Sequence, residues 1–153
     1  MKLAPSMERA DWLNLESEIK ELEIAGVDLL HLDIMDRTYG SRILLSPNLI
    51  PMIKKVTKLP LDVHMYVTEP EVYFETLFSV MGNNDYINFQ FEAPRNISRL
   101  LTLVKDAGIK TAVTLEIATP IEALKEIREQ IDMVNLLIRP DGCHHLSLTK
   151  GIL

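Results

Sequence analysis

The chain has 153 residues, 47% of them apolar and 25% charged, and a formal net charge of −6; that is room for one domain with a real core. The acidic balance argues against nucleic acid or an anionic membrane as the main partner, and no apolar window is long enough to span a bilayer. A lone cysteine, Cys143, leaves no internal disulfide, and the opening run Met1–Ser6 is broken too soon for a signal peptide, so the default expectation is a cytoplasmic protein.

Residues 3–6 form a short strand candidate closed by Pro5-Ser6. Asp11 is placed to cap a helix with the apolar stripe Leu13, Leu15, Ile19, Leu22 and Ile24, stopped by Gly26. A strand near 28–35 follows, then the loop Asp36 to Arg42. Ser46-Pro47 opens a second helix with Leu49, Met52, Ile53 and Val56 on one face. Residues 61–67 read as the third strand, and Glu69-Pro70 starts a helix that runs to about Gly82. The spacing then predicts a strand over 86–91, a helix over about 96–107 and a strand over 110–115. Thr119-Pro120 caps a helix ending near Gln130, and 133–138 is the sixth strand. No linker or low-complexity segment interrupts this order, so residues 1–153 are expected to form a single domain.

Strict alternation of strand and helix means a parallel sheet with crossover helices. An open doubly wound sheet and a closed eight-stranded barrel both fit. No Gly-x-Gly-x-x-Gly loop follows the first strand, which weighs against the open sheet. In either architecture ligands sit at the C-terminal ends of the strands, where Ser6, His31, Asp33 and Asp36 fall.

Within Leu29-Leu30-His31-Leu32-Asp33-Ile34-Met35, strand parity puts His31, Asp33 and Met35 on one face. A carboxylate in an apolar run needs a partner. A buried ion pair would supply one, and so would a metal. The third strand adds His64 and Tyr66 on a shared face; the fourth adds Asn88, Gln90 and Glu92, and the fifth Thr114 and Glu116, although a solvated rim also explains the two glutamates. Two imidazoles and a carboxylate suit a divalent cation such as Zn²⁺, Mn²⁺ or Fe²⁺. Such a cation next to a carbonyl favours proton abstraction at the neighbouring carbon, and a carboxylate can serve as the base. Cys143-His144-His145 is a weaker metal candidate, since three consecutive residues do not easily converge on one ion.

These residues resemble the ribulose-phosphate 3-epimerase family. Ala4-Pro5-Ser6 resembles its first strand, His31-Leu32-Asp33-Ile34-Met35-Asp36 its second, and Leu59-Pro60-Leu61-Asp62-Val63-His64 its third. Phe91-Glu92-Ala93, Ala118-Thr119-Pro120-Ile121-Glu122-Ala123-Leu124 and Ile131-Asp132-Met133-Val134 continue the match in order. The resemblance implies an α/β fold of (β/α)8 TIM-barrel type, with about six β/α units in this chain. It implies an isomerase that epimerises a ketose or ketose phosphate, with a divalent metal (Zn, Fe, Mn or Co) as cofactor and a small sugar or sugar phosphate as partner. A homo-oligomer is also expected. His31, Asp33 and His64 would be the metal ligands, and Asp33 would double as an acid/base carboxylate. Ser6, Met35, His64, Tyr66 and Gly142 would line the substrate. A barrel synthase or decarboxylase would instead carry Asp-x-Lys-x-x-Asp on the third strand, where this chain has Asp62-Val63-His64.

The departures from the family pattern cluster around the same site. Gln90 stands for a family His, Tyr66 for a Met, and Glu116-Ile117 for Asn-Pro. The glycine-rich phosphate turn aligns with Pro140-Asp141-Gly142-Cys143-His144-His145-Leu146, so Arg37, Arg42 and Arg139 become candidate anion contacts. The family's seventh strand, with a fourth ligand and a second carboxylate, lies beyond Leu153, so a truncated barrel is expected. The alternative is a non-catalytic sugar- or metal-binding paralogue, or an inactive fragment of such a barrel.

Overall fold

The computed structural model describes residues 2–139. Five parallel strands form one sheet in the order β1-β2-β3-β4-β5: β1 Leu30–Met35, β2 Leu61–Tyr66, β3 Tyr86–Gln90, β4 Lys110–Leu115 and β5 Met133–Leu136. Each strand pairs with the next in sequence. A doubly wound sheet reverses direction at a switch point, whereas a barrel wall does not. The order is that of a partial (β/α)8 barrel, as expected.

Register divides the sheet into two chemically different faces. His31 pairs with Asp62 and Asp33 with His64; His64 pairs with Asn88, and Gln90 with Thr114. Polar side chains therefore align on one face across four strands. The opposite face carries Leu30, Leu32, Ile34, Val63, Met65, Ile87, Phe89 and Val113, all buried, and packs against helix residues Ile19, Ile50, Ile53, Leu77, Leu101 and Val104. Burial of each such side chain contributes roughly 1.5–3 kcal/mol, so the helix-side layer holds the sheet while the inner face is left for chemistry.

The helices are α1 Leu15–Ala25, α2 Ile50–Val56, α3 Phe74–Phe78 and α4 Ile97–Asp106. Gly26 ends α1 in the left-handed region, with φ 77°, where glycine carries no Cβ penalty. Asn96 caps α4 by accepting from the Arg99 N–H. Asp85 closes the lower end of the sheet: its buried carboxylate accepts from Leu61 N–H (2.9 Å), Gly82 N–H (3.0 Å) and Lys54 Nζ (2.9 and 3.0 Å).

Several boundaries differ from expectation. The 3–6 segment makes only an isolated parallel bridge, Ser6 to His31; His31 N–H donates to Pro5 O at 3.0 Å, but Pro5 has no N–H to extend the ladder. Asp11 caps a 3₁₀ turn, Trp12–Asn14, ahead of α1. Leu13 falls in that turn and is 95% exposed, and Ile24 rotates off the stripe at 87%. In α2 the buried residues are Ile50 and Ile53, while Met52 faces out. The third helix begins as a 3₁₀ turn, Pro70–Tyr73, and stops at Phe78, where the Ser79 hydroxyl donates to Thr76 O and competes with the helix pattern. The segment after β4 forms two 3₁₀ turns, Ile121–Leu124 and Arg128–Gln130. Leu124 is its only fully buried side chain, too little packing to stabilise a longer helix.

Candidate functional site

β1 and β2 build the centre of the inner face. The Asp33–His64 register brings together one carboxylate and two imidazoles from sites thirty-one and two residues apart. Asp33 Oδ1 lies 3.1 Å from His31 Nε2 and 3.1 Å from His64 Nδ1. One ligating atom from each of the three residues lies within 4.8 Å of the others. The second Asp33 oxygen accepts from the Ser6 hydroxyl at 3.0 Å, so the bridge between the 3–6 segment and β1 aims Ser6 at this carboxylate.

Each imidazole is held from behind. His31 Nδ1 meets Asp62 Oδ2 at 2.7 Å, and His64 Nε2 meets Gln90 Oε1 at 3.2 Å. Outer partners of this kind orient ligating histidines and set which nitrogen is left to bind. Asp62 is almost fully buried; Asn135 on β5 also donates to its Oδ2 at 3.4 Å, and among the described residues its Oδ1 has no hydrogen-bond partner. Sequence reasoning missed Asp62 as part of the site, although its parity with His64 on β2 was the available signal.

The electrostatics follow from this packing. Burial pulls the His31 imidazole down, but Asp33 and Asp62 together outweigh it and push it up to about 10. Burial raises Asp33, yet the bonds from His31 and His64 hold its carboxyl well below the usual carboxylate range. The group is thus a carboxylate facing nitrogen donors in a partly water-excluded wall. Its donor set fits a divalent cation of the zinc, manganese or iron type.

The remaining expected residues flank this centre. Tyr66 stands edge-on to His64 with ring centroids 5.6 Å apart; its hydroxyl donates to Glu116 Oε1 at 2.6 Å, and Tyr39 packs edge-on against it at 4.8 Å. Met35 is buried on the same face, under Gly40: a Cβ at Gly40 would come within 2.3 Å of the Met35 sulfur. Glu92 and Glu116 are not a free solvated rim. Glu92 accepts from Gln90 Nε2, from Glu116 N–H and from the Thr119 hydroxyl. Asp36 serves the loop rather than the centre, accepting from Thr38 N–H (2.9 Å), the Thr38 hydroxyl (2.7 Å) and the Tyr73 hydroxyl (2.7 Å). Arg42 pairs with Glu8, and Arg37 adopts φ 72° in the same loop. Gly142, Cys143, His144 and His145 lie outside the described residues. Among the described residues no helix is long and apolar enough to cross a membrane.

Comparison with known proteins identifies the family. Residues 2–144 match the sequence profile of the Ribulose-phosphate 3 epimerase family. The chain is 34% identical over 137 residues to ribulose-phosphate 3-epimerase of Bacillus subtilis, covering 90% of this chain and 62% of that protein. It is 34% identical over 153 residues to ribulose-phosphate 3-epimerase 1 of Cupriavidus necator, covering 100% and 63%. It is 35% identical over 127 residues to the Methanocaldococcus jannaschii ribulose-phosphate 3-epimerase, covering 83% and 53%. The chain thus spans about three fifths of the length of the first two of these curated relatives. A profile match over nearly the whole chain, laid on a sequentially ordered parallel sheet with a His-Asp-His cluster, assigns the chain to the ribulose-phosphate 3-epimerase family.

Proposed function

We propose that this chain carries the metal-binding and first proton-transfer half of an epimerase acting on a ketose phosphate. The observation that carries the reading is the convergence of His31 Nε2, Asp33 Oδ1 and His64 Nδ1. The names of the relatives support ribulose phosphate as the substrate class. The divalent cation would be held by His31, Asp33 and His64; when bound, it supplies polarisation of the substrate carbonyl, which acidifies the adjacent C–H.

The chain's own residues account for the rest. Asp33 is ionised and is positioned by three neighbours, so it can accept a proton at the carbon beside the carbonyl. Ser6 donates to the outer Asp33 oxygen and fixes its direction. Met35 gives the wall an apolar, polarisable patch beside the carboxylate. The Tyr66–Glu116 pair offers a hydroxyl and a carboxylate at the C-terminal ends of β2 and β4, suited to substrate hydroxyl groups.

Inversion takes a proton-transfer group on each face of the carbon, whereas exchange of that hydrogen with solvent reads Asp33 alone. The chain loaded with Mn²⁺ is expected to exchange the C3 hydrogen of ribulose 5-phosphate with deuterium, followed by proton NMR. No exchange above the buffer rate, with the cation bound, would leave a sugar or metal binder as the surviving reading.

A further inference from the structure

Tyr39 stands beside the site on a loop that is tied down along its length. Asp36 accepts from Thr38 and from the Tyr73 hydroxyl, Thr68 N–H donates to the Thr38 hydroxyl at 2.9 Å, and Arg42 pairs with Glu8. The Tyr39 ring lies edge-on to Tyr66, which is itself edge-on to His64. The Tyr66 hydroxyl reaches across to Glu116, just beyond β4, and engages one of its carboxylate oxygens at 2.6 Å. Among the described residues, the other Glu116 oxygen and the Tyr39 hydroxyl have no hydrogen-bond partner. Burial, together with the nearby Glu116 and Glu92 charges, raises the Tyr39 phenol, so it keeps its hydrogen at neutral pH. An unused donor and an unused, charged acceptor thus flank Tyr66 on the His64 side of the cluster.

Such a pair matches a hydroxyl group, which donates and accepts at once. It does not match a phosphoryl group, because a carboxylate repels a second anion and has no hydrogen to give. A ketose 5-phosphate with its carbonyl and C3 at the His31–Asp33–His64 cluster extends in two directions. Toward C4 it leads within a few atoms to the phosphoryl group; toward C1 it ends in a hydroxyl. Only the C1 end suits this wall. We propose that Tyr39 and Glu116 form a specificity pocket for the C1 hydroxyl of the ketose, with Tyr66 as the positioning residue that holds Glu116. Tyr39 donates to the sugar oxygen, and the free Glu116 oxygen accepts the sugar hydrogen. The placement of the ketose rests on the epimerase reading above.

Calorimetric titration of the chain in Mn²⁺-containing buffer reads the pocket without turnover. The probes are D-xylulose 5-phosphate, the C3 epimer of ribulose 5-phosphate, and 1-deoxy-D-xylulose 5-phosphate. A hydrogen bond to a charged group is worth about 10–100-fold, so the wild type is expected to bind the 1-deoxy sugar more weakly by that factor. Tyr39→Phe removes the donor. Glu116→Gln removes the charge and keeps an oxygen for Tyr66. Each is expected to shrink the ratio, and the double variant to bind the two sugars nearly alike, since the 1-deoxy sugar has no hydroxyl there to lose. A merely structural role would weaken both sugars together and leave the ratio where it was. Equal binding of the two sugars by the wild type, binding of neither, or a wild-type ratio in the variants overturns the pocket. The expected ratios without exchange of the C3 hydrogen would keep the pocket and remove the epimerase reading.

Discussion

Asp33→Asn is expected to abolish C3 hydrogen exchange and to weaken divalent-metal binding by more than about 100-fold, beyond the range typical for an outer-shell loss. The substitution keeps the size of the side chain and one oxygen, so packing against His31, His64 and Ser6 survives. It removes the negative charge that faces both imidazoles. It also removes the base: a positioned carboxylate contributes on the order of 10²–10⁴ in rate, and an amide contributes none of that. Measuring exchange at saturating Mn²⁺ separates the two losses, since a variant with restored occupancy and no exchange has lost the proton acceptor alone. Wild-type exchange in the asparagine variant would show that another group takes the proton.

The second large effect is on pH. His31 is pushed up to about 10 by Asp33 and Asp62, against the pull of burial, so the metal-free chain carries an imidazolium there at neutral pH. Asp33 is held ionised and has no proton to lose. A cation that takes His31 Nε2 must displace one proton, and apparent affinity then rises about tenfold per pH unit below about pH 10. Between about pH 7 and about pH 9 the expected gain is roughly 100-fold, with close to one proton released per cation. Calorimetric titrations with Mn²⁺ in two buffers of different ionisation enthalpy measure both quantities. A flat profile would remove His31 from the ligand set. The metal-free fold is expected to show the opposite sign in thermal melts: the His31 contribution to stability is full below the unfolded value of 6.5 and is lost as pH rises through about 10.

The strands were legible because each is a short, largely apolar run, and strand parity also put His31 and Asp33 together on one side of their strand and His64 and Tyr66 together on one side of theirs. What parity cannot supply is register. The pairing of Asp33 with His64, rather than with Asp62 or Tyr66, is seen only in the folded sheet, where the same register sets Leu32 beside Val63 on the packed side. The same gap explains the missed outer partners. Asp62 was visible by parity on β2, but its role depends on lying directly beside His31. Gln90 stood out only as a departure from the family's histidine; its orientation is set by Glu92, itself set by the Glu116 backbone on the next strand. Helix lengths were the weakest reading. The segment after β4 has helical composition but one buried anchor, Leu124, and forms 3₁₀ turns; the one after β2 buries Phe74 and Leu77 yet stops at Phe78, where the Ser79 hydroxyl donates to Thr76 O.

The central claim is that His31, Asp33 and His64 bind a divalent cation. Elemental analysis of the purified chain, after reconstitution with Mn²⁺ or Zn²⁺ and removal of excess, tests it most directly. A single bound cation per chain is expected, falling to background in the His31→Ala, His64→Ala double variant while circular dichroism still shows a folded α/β protein. The same metal content in wild type and double variant would contradict the account.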